Sequence, residues 1–151
     1  MSKIILLDFD GVVIPFTKKY QKMHPALPSL EAVATLNAII KETGAKIVVT
    51  SAWRLFATIE ALDACIKKWG VVGDVIGKAP HLPSDSRGLE ILSWLQDSSG
   101  KTEEFVVIDD EASEMILVDD HFIKVQDPKK GLLLSDASAI IKILEGNITC
   151  A

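Results

Sequence analysis

Apolar runs that end in polar residues recur along the chain. Three of them are rich in β-branched residues, Ile4–Leu7, Lys46–Val49 and Phe105–Ile108, and shorter runs cover Val71–Ile76 and Phe122–Val125. Runs that are apolar on both faces are typical of strands in a parallel sheet that helices cover on both sides. The pattern therefore predicts a parallel sheet built from these segments.

Stretches with helical periodicity separate the strands. In Leu30–Thr43, apolar residues recur every three or four positions, Ser29 is placed to cap the helix and Gly44 to end it. Three further helices are predicted, over Leu55–Lys68, Leu89–Leu95 and Asp136–Leu144. The alternation of strands and helices predicts an α/β fold with a doubly wound parallel sheet and helices on both faces.

One irregular insert, at about residues 12–28, interrupts this alternation. It contains Pro15, Pro25 and Pro28 and follows the first strand directly. We therefore expect a small flap over the end of that strand. The insert is too short for a separate cap domain, so residues 1–151 are expected to form a single domain.

Composition narrows the class of protein. At 151 residues and 48% hydrophobic, the chain has the size of one domain with a substantial core, and its net charge of −5 provides no global basic field for a nucleic-acid backbone. Cys65 and Cys150 are too few and too far apart for a zinc or disulfide framework. No signal-peptide pattern and no apolar run of about 20 residues are found, so a cytoplasmic location without membrane contact is expected. The oligomeric state is left open.

Polar residues follow the three main strands. Asp8 and Asp10 come after the first, Thr50 and Ser51 after the second, and Asp109-Asp110 after the third. Parallel sheets bind ligands at the carboxyl ends of their strands. Clustered acids repel each other unless a cation or a phosphoryl ligand compensates. Phosphoryl transfer uses such a set: a nucleophilic carboxylate, a second one that moves protons, a hydroxyl, a basic side chain, and carboxylates that bind Mg²⁺.

The same residues resemble the motifs of a known superfamily. Asp8-Phe9-Asp10-Gly11-Val12-Val13, Thr50 (with Ser51 as the alternative) and Asp109-Asp110 resemble the first, second and fourth motifs of the haloacid dehalogenase (HAD) superfamily of aspartate-nucleophile phosphatases, in the same order and across most of the chain. The chain is more narrowly similar to the HAD-like domains of multi-domain RNA repair proteins. That closer likeness rests on Thr50–Arg54, on Arg87–Ile91 with Trp94-Leu95, on Ile108–Glu111, and on Asp127-Pro128 through Gly131-Leu132.

The resemblance implies a role for each of these residues. Asp8 would be the nucleophile and a magnesium ligand. Asp10 would offer its backbone carbonyl to the metal and its carboxyl as general acid and then base. Asp110 would bind the metal directly, Asp109 would act through a metal-bound water, and Thr50 would donate to a phosphoryl oxygen.

The phosphate-binding groups are less fully specified. Arg87, which opens the helix before the fourth motif, is expected to be the basic residue of the third motif, with Lys78 as the alternative. Backbone amides from Phe9 to Gly11 are expected to line a phosphate nest.

Aromatic and basic residues near the motifs have two interpretations each. Arg54 either reaches the substrate phosphate or is a surface charge, and Trp53 either stacks on a base or packs in the first turn of a helix. The basic and aromatic residues of the insert either are solvated or contact a nucleic-acid strand; they are Lys18, Lys19, Tyr20 and Lys22.

The sequence thus predicts a magnesium-dependent phosphomonoesterase that forms an aspartyl-phosphate intermediate. The resemblance implies a phosphorylated small molecule, a nucleotide or a nucleic-acid end as substrate, because capless members of the superfamily often act on bulky substrates. The alternative is a catalytically silent phosphate-binding or interaction module, although the chain retains all the acids. A phosphoacceptor domain of the receiver type fits poorly, because Lys46–Val49 ends in Thr-Ser rather than in a single Asp.

Overall fold

Five parallel strands form the central sheet. A computed structural model of the chain describes residues 2–16, 27–112 and 115–146. The strands lie in the order β3-β2-β1-β4-β5, and every pairing is parallel. Their bounds are β1 Ser2–Leu7, β2 Lys46–Val49, β3 Val75–Lys78, β4 Thr102–Asp109 and β5 Phe122–Lys124. The carboxyl ends of β1, β2 and β4 therefore lie side by side.

Helices cover both faces of the sheet, as the sequence predicted. They are α1 Leu30–Thr43, α2 Ile59–Lys68, α3 Arg87–Asp97 and α4 Ala137–Leu144. Successive residues of a strand point to opposite faces. In β1, Ile5 packs in the core cluster of α1, α2 and α4, whereas Ile4 packs with Ile91 of α3 and with Met115. The doubly wound α/β fold is confirmed.

The predicted bounds hold best where the signals are local. α1 begins after Ser29, whose side chain accepts a hydrogen bond from the Ala32 amide, and ends at Gly44 in the left-handed conformation (φ 71°). Both ends match the prediction, because a capping hydroxyl and a glycine act within one turn of the helix.

The helix predicted over Leu55–Lys68 begins later than expected. α2 starts at Ile59, and Ala52–Leu55 form a separate short 3₁₀ helix. Between the two helices, the carbonyl of Ala57 accepts a hydrogen bond from Lys78 Nζ at 2.9 Å. The predicted start of this helix was wrong. Lys78, which is distant in sequence, binds the backbone just before the helix begins.

The third strand is also displaced from its prediction. It was expected over Val71–Ile76 and lies at Val75–Lys78. The side-chain amide of Asn37 donates to the Gly70 carbonyl and accepts from the Val72 amide, both at 2.9 Å. These two hydrogen bonds occupy backbone groups of Gly70 and Val72, so they are not available for strand pairing at this point.

The insert after β1 is held by a loop near the end of the chain. The Leu132 amide donates to the Val12 carbonyl, and the Phe16 amide donates to the Pro128 carbonyl, both at 2.8 Å. The predicted contacts of the insert's basic and aromatic residues fall within residues 17–26, outside the described part. Within the described ranges, no cap domain stands apart from the sheet and its helices.

None of the helices in the described part of the chain has the length and hydrophobicity required to cross a membrane.

Candidate active site

Three carboxylates meet at the end of the sheet. Asp8 follows β1, Asp109 ends β4 and Asp110 comes next, and one carboxylate oxygen of each lies within 4.8 Å of the others. The Asp8 amide donates to the Ile108 carbonyl at 3.1 Å, which fixes the two strand ends together. Asp8 is 6% exposed and Asp109 only 1%. Three of the four acids predicted for the site are thus brought together, and two of them, Asp8 and Asp109, are buried.

This clustering changes the proton affinity of the acids. Burial, followed by the negative charge of Asp109, raises the pKa of Asp8 to about 8, although Arg87 opposes the shift. Burial likewise raises the pKa of Asp109 to about 6. Three oxygen donors that destabilise one another in this way fit a hard divalent cation, which carboxylates bind and whose charge would compensate theirs. The donor set therefore suits Mg²⁺.

Arg87 provides positive charge at the cluster. It is the first residue of α3, and its Nη1 lies 2.8 Å from Asp109 Oδ2 and 3.2 Å from Asp8 Oδ1. The alternative, Lys78, directs its Nζ to the carbonyls of Arg54 and Ala57, at 3.0 and 2.9 Å. Of the two candidates, Arg87 is therefore the basic residue that contacts Asp8.

We expect Arg87→Ala to lower kcat/KM for a phosphoester by about 10²-fold, the scale of losing one charged or hydrogen-bonding group at a transition state. Lys78→Ala should instead lower the melting temperature, because its contacts are to the backbone of the β2–α2 connection. Steady-state kinetics and thermal melts of both variants separate the two effects. A larger loss of kcat/KM in Lys78→Ala would transfer the role to that lysine.

Two hydroxyls follow β2, and they have different environments. The side chain of Ser51 accepts a hydrogen bond from the Trp53 amide at 3.3 Å and so caps the 3₁₀ helix. Thr50 is fully buried, and its Oγ1 has no hydrogen-bond partner among the described residues. A buried hydroxyl without a partner is costly. Of the pair, Thr50 is therefore the one available to a ligand oxygen.

Gly11 turns the chain beside the three-acid cluster. Its φ is +81°, and a Cβ built there would lie 2.4 Å from Asp110 Oδ2. Its amide donates to the Ile14 carbonyl at 2.7 Å. The expected phosphate nest therefore has to be corrected at this residue, because the Gly11 amide is engaged in the turn. Phe9 contributes no side chain to the site, since its ring is fully buried.

The Asp10 side chain stands apart from the three-acid cluster. Its Oδ2 accepts a hydrogen bond from the indole Nε1 of Trp53 at 3.1 Å. That indole packs edge-on against Phe9 and Trp69, with ring centroids 5.5 and 5.7 Å away. Sequence reasoning missed the Trp53–Asp10 pair, because 43 residues separate its members. The pair holds the second aspartate in a fixed position.

Arg54 is buried, so its interpretation as a surface charge was wrong. It is 4% exposed, and its Nη2 lies 2.9 Å from Glu90 Oε1 of α3. Its guanidinium also donates to four backbone carbonyls, those of Thr50, Ser51, Ala79 and Pro80. The described contacts give Arg54 a structural role, which joins the segment after β2 to α3. Glu90, its partner, was not identified from the sequence.

A cavity of about 330 Å³ opens beside the cluster. Its lining is mainly acidic, with Arg87 as the basic member: Asp8, Asp85, Arg87, Asp109, Asp110, Glu111 and Met115. A phosphate group entering this space meets the nucleophile expected from the sequence and the only basic side chain of that lining.

The family follows from a match over most of the chain. The family described as the HAD domain in Swiss Army Knife RNA repair proteins matches residues 4–137, from β1 to the start of α4. The chain belongs to this family. The resemblance deduced from the motifs is thereby confirmed, and membership in the HAD family indicates a phosphatase-type function. A search among curated proteins finds no match to this HAD domain.

Proposed function

We propose that this HAD domain is a magnesium-dependent phosphomonoesterase in which Asp8 forms an aspartyl-phosphate intermediate. The observation that supports this proposal best is the cluster of Asp8, Asp109 and Asp110 with Arg87 paired to two of the three acids. Acids that are buried together in this way are difficult to explain by stability alone, because they repel one another.

Asp8, Asp109 and Asp110 would hold the magnesium ion, together with the Asp10 carbonyl. When bound, the ion supplies charge compensation to the carboxylates and to the phosphoryl group. It would thereby allow Asp8 to be ionised at neutral pH, where burial otherwise favours its protonated form. Arg87 and the Thr50 hydroxyl would hold phosphoryl oxygens.

The chemistry then divides into two steps. In the first, a carboxylate oxygen of Asp8 bonds to phosphorus while the bond from phosphorus to the leaving oxygen breaks, and Asp10 gives its proton to that oxygen. In the second, a water molecule loses a proton to Asp10 and attacks phosphorus, and the bond to Asp8 breaks. Inorganic phosphate leaves, and both aspartates return to their starting states.

The proposed substrate is a phosphorylated nucleotide or the phosphorylated end of a nucleic acid. The family description points to RNA repair, and the cavity beside the cluster, at about 330 Å³, has room for more than a phosphate group. The net charge of −5 disfavours binding along the backbone of a long nucleic acid. A terminal phosphate requires only local binding.

The test is turnover of p-nitrophenyl phosphate with Mg²⁺, compared between the wild type and Asp10→Asn. We expect sustained, EDTA-sensitive turnover in the wild type and a rate about 10²-fold lower in the variant, since a general acid typically contributes that much. Asp119→Asn is a matched control, because Asp119 is exposed and lies outside the cluster.

Two outcomes would contradict the proposal. An Asp10→Asn variant as active as the wild type would remove Asp10 from proton transfer. Absence of turnover on a panel of sugar phosphates, nucleotides and phosphorylated oligonucleotides, despite Mg²⁺ binding, would favour a silent phosphate-binding module.

A further inference from the structure

An exposed aromatic surface includes Trp53, whose indole contacts Asp10. Phe56, directly after the 3₁₀ helix, is 90% exposed. Together with Ala52, Trp53 and Ala57 it lines a cavity of about 390 Å³, and the lining contains no charged side chain. We call these four residues the Phe56 surface. A cavity of this composition favours a flat, uncharged and apolar group.

The backbone beneath the Phe56 surface is fixed on both sides. Lys78 Nζ donates to the carbonyls of Arg54 and Ala57, which flank Phe56 by two residues and by one. Arg54 is itself fixed by its buried ion pair with Glu90. The exposed ring is therefore presented on a well-ordered support. Such preorganisation reduces the conformational cost of binding.

The Phe56 surface is continuous with the proton-transfer residue. Trp53 lines the cavity, and its indole Nε1 lies 3.1 Å from Asp10 Oδ2. If Asp10 protonates the leaving oxygen, that oxygen must come within about 3 Å of its carboxyl group. The organic part of the substrate then begins beside the Trp53 indole, which also lines the cavity.

We infer that the Phe56 surface is a subsite for the nucleobase of the phosphorylated substrate, which stacks on the Phe56 ring. This inference rests on the proposed function and specifies its substrate class. A base is planar and uncharged, as the lining requires, and aromatic side chains bind any base through its π-face. The lining side chains should not discriminate between bases, because their one hydrogen-bonding atom, the Nε1 of Trp53, already donates to Asp10.

The decisive experiment separates the base from the phosphate. Adenosine, which has no phosphate, is titrated by calorimetry into the wild type, Phe56→Ala and Leu55→Ala. Base stacking typically contributes enough for Phe56→Ala to raise the Kd by about tenfold or more. Leu55→Ala is the matched control, because Leu55 is a neighbouring, 45% exposed apolar residue that does not line this cavity. Its Kd should equal that of the wild type.

Kinetics give a second measurement on the same variants. The wild type should prefer nucleoside monophosphates to ribose 5-phosphate, and Phe56→Ala should reduce the ratio of the two kcat/KM values by about tenfold. Phe56→Tyr, which keeps an aromatic ring, should restore the ratio.

Several results would overturn the inference. They are an unchanged adenosine Kd in Phe56→Ala, no adenosine binding by the wild type, and a change from dimer to monomer in Phe56→Ala without any effect on adenosine. The last result would assign the Phe56 surface to contact between copies of the chain. Because adenosine binding requires no turnover, these outcomes are distinguishable from failure of the proposed phosphatase activity.

Discussion

Replacing Asp8 with asparagine should reduce turnover by on the order of 10⁴-fold or more, because an amide cannot serve as the attacking carboxylate. In the neighbouring acid Asp109, both carboxylate oxygens are already bonded, one to Arg87 and the other to the Glu111 amide. The measurement is single-turnover release of phosphate by Asp8→Asn and wild type in the presence of Mg²⁺. Isolation of a phosphorylated protein from the wild type alone would support the covalent intermediate.

The variant also needs a test that it is folded. Asparagine is nearly isosteric with aspartate and carries no charge to be buried beside Asp109, so the melting temperature without metal should not fall. Mg²⁺ should raise the melting temperature of the wild type, because a ligand that binds only the folded state stabilises it, and it should raise that of Asp8→Asn less. Turnover that survives in a folded Asp8→Asn variant would exclude Asp8 as the nucleophile.

Among the substitutions proposed for this chain, breaking the Arg54–Glu90 ion pair should lower the free energy of unfolding most. Both side chains are 4% exposed, and their charged atoms lie 2.9 Å apart. Removing one partner of such a pair leaves the other charge buried, which typically costs about 3–5 kcal/mol. We therefore expect Arg54→Ala to lower the free energy of unfolding by that amount in urea melts. Glu90→Gln, which keeps the side-chain shape, should destabilise in the same direction.

A surface pair provides the matched control. Lys46 and Asp74 form an ion pair at 3.3 Å in which both side chains are about half exposed, at 43% and 54%. Exposed pairs contribute little, so Lys46→Ala should melt close to the wild type. Equal destabilisation by Lys46→Ala and Arg54→Ala would show that burial of the Arg54–Glu90 pair has no special weight.

Loss of the Arg54–Glu90 pair should also reduce activity. Arg54 belongs to the segment that follows Thr50, and Glu90 lies one turn after Arg87 in α3. The pair thus sets the position of α3 relative to the end of β2. Under conditions where Glu90→Gln is still folded, we expect a lower kcat/KM for phosphoesters.

The sequence was sufficient for the sheet, for most helices and for the acids, because each is encoded locally. Apolar runs specify buried strands, and the carboxyl ends of parallel strands share an edge, so Asp8, Asp109 and Asp110 could be assigned to one place. The sequence favoured Arg87 over Lys78 because Arg87 opens the helix before the fourth motif, and the structure adds the contacts that each side chain makes. Their separate partners, carboxylates for one and carbonyls for the other, distinguish them.

Contacts between distant residues account for what the sequence could not supply. Arg54 lies next to the second motif, which made a substrate contact plausible, but its partner Glu90 is 36 residues away. Trp53 and Asp10 are likewise joined only in the folded chain. The late start of α2 has the same origin, because Lys78 bonds to the backbone before it. In each case a polar side chain contacts a group distant in sequence, which local periodicity does not reveal.

The close approach of Gly11 to Asp110 has an evolutionary consequence. A side chain at position 11 would occupy the volume of the Asp110 carboxylate, as the 2.4 Å separation from Oδ2 indicates. The two positions are therefore not independent in sequence change. Among relatives, any residue larger than glycine at position 11 should accompany a smaller residue at position 110, and such a lineage would have lost one of its three clustered acids.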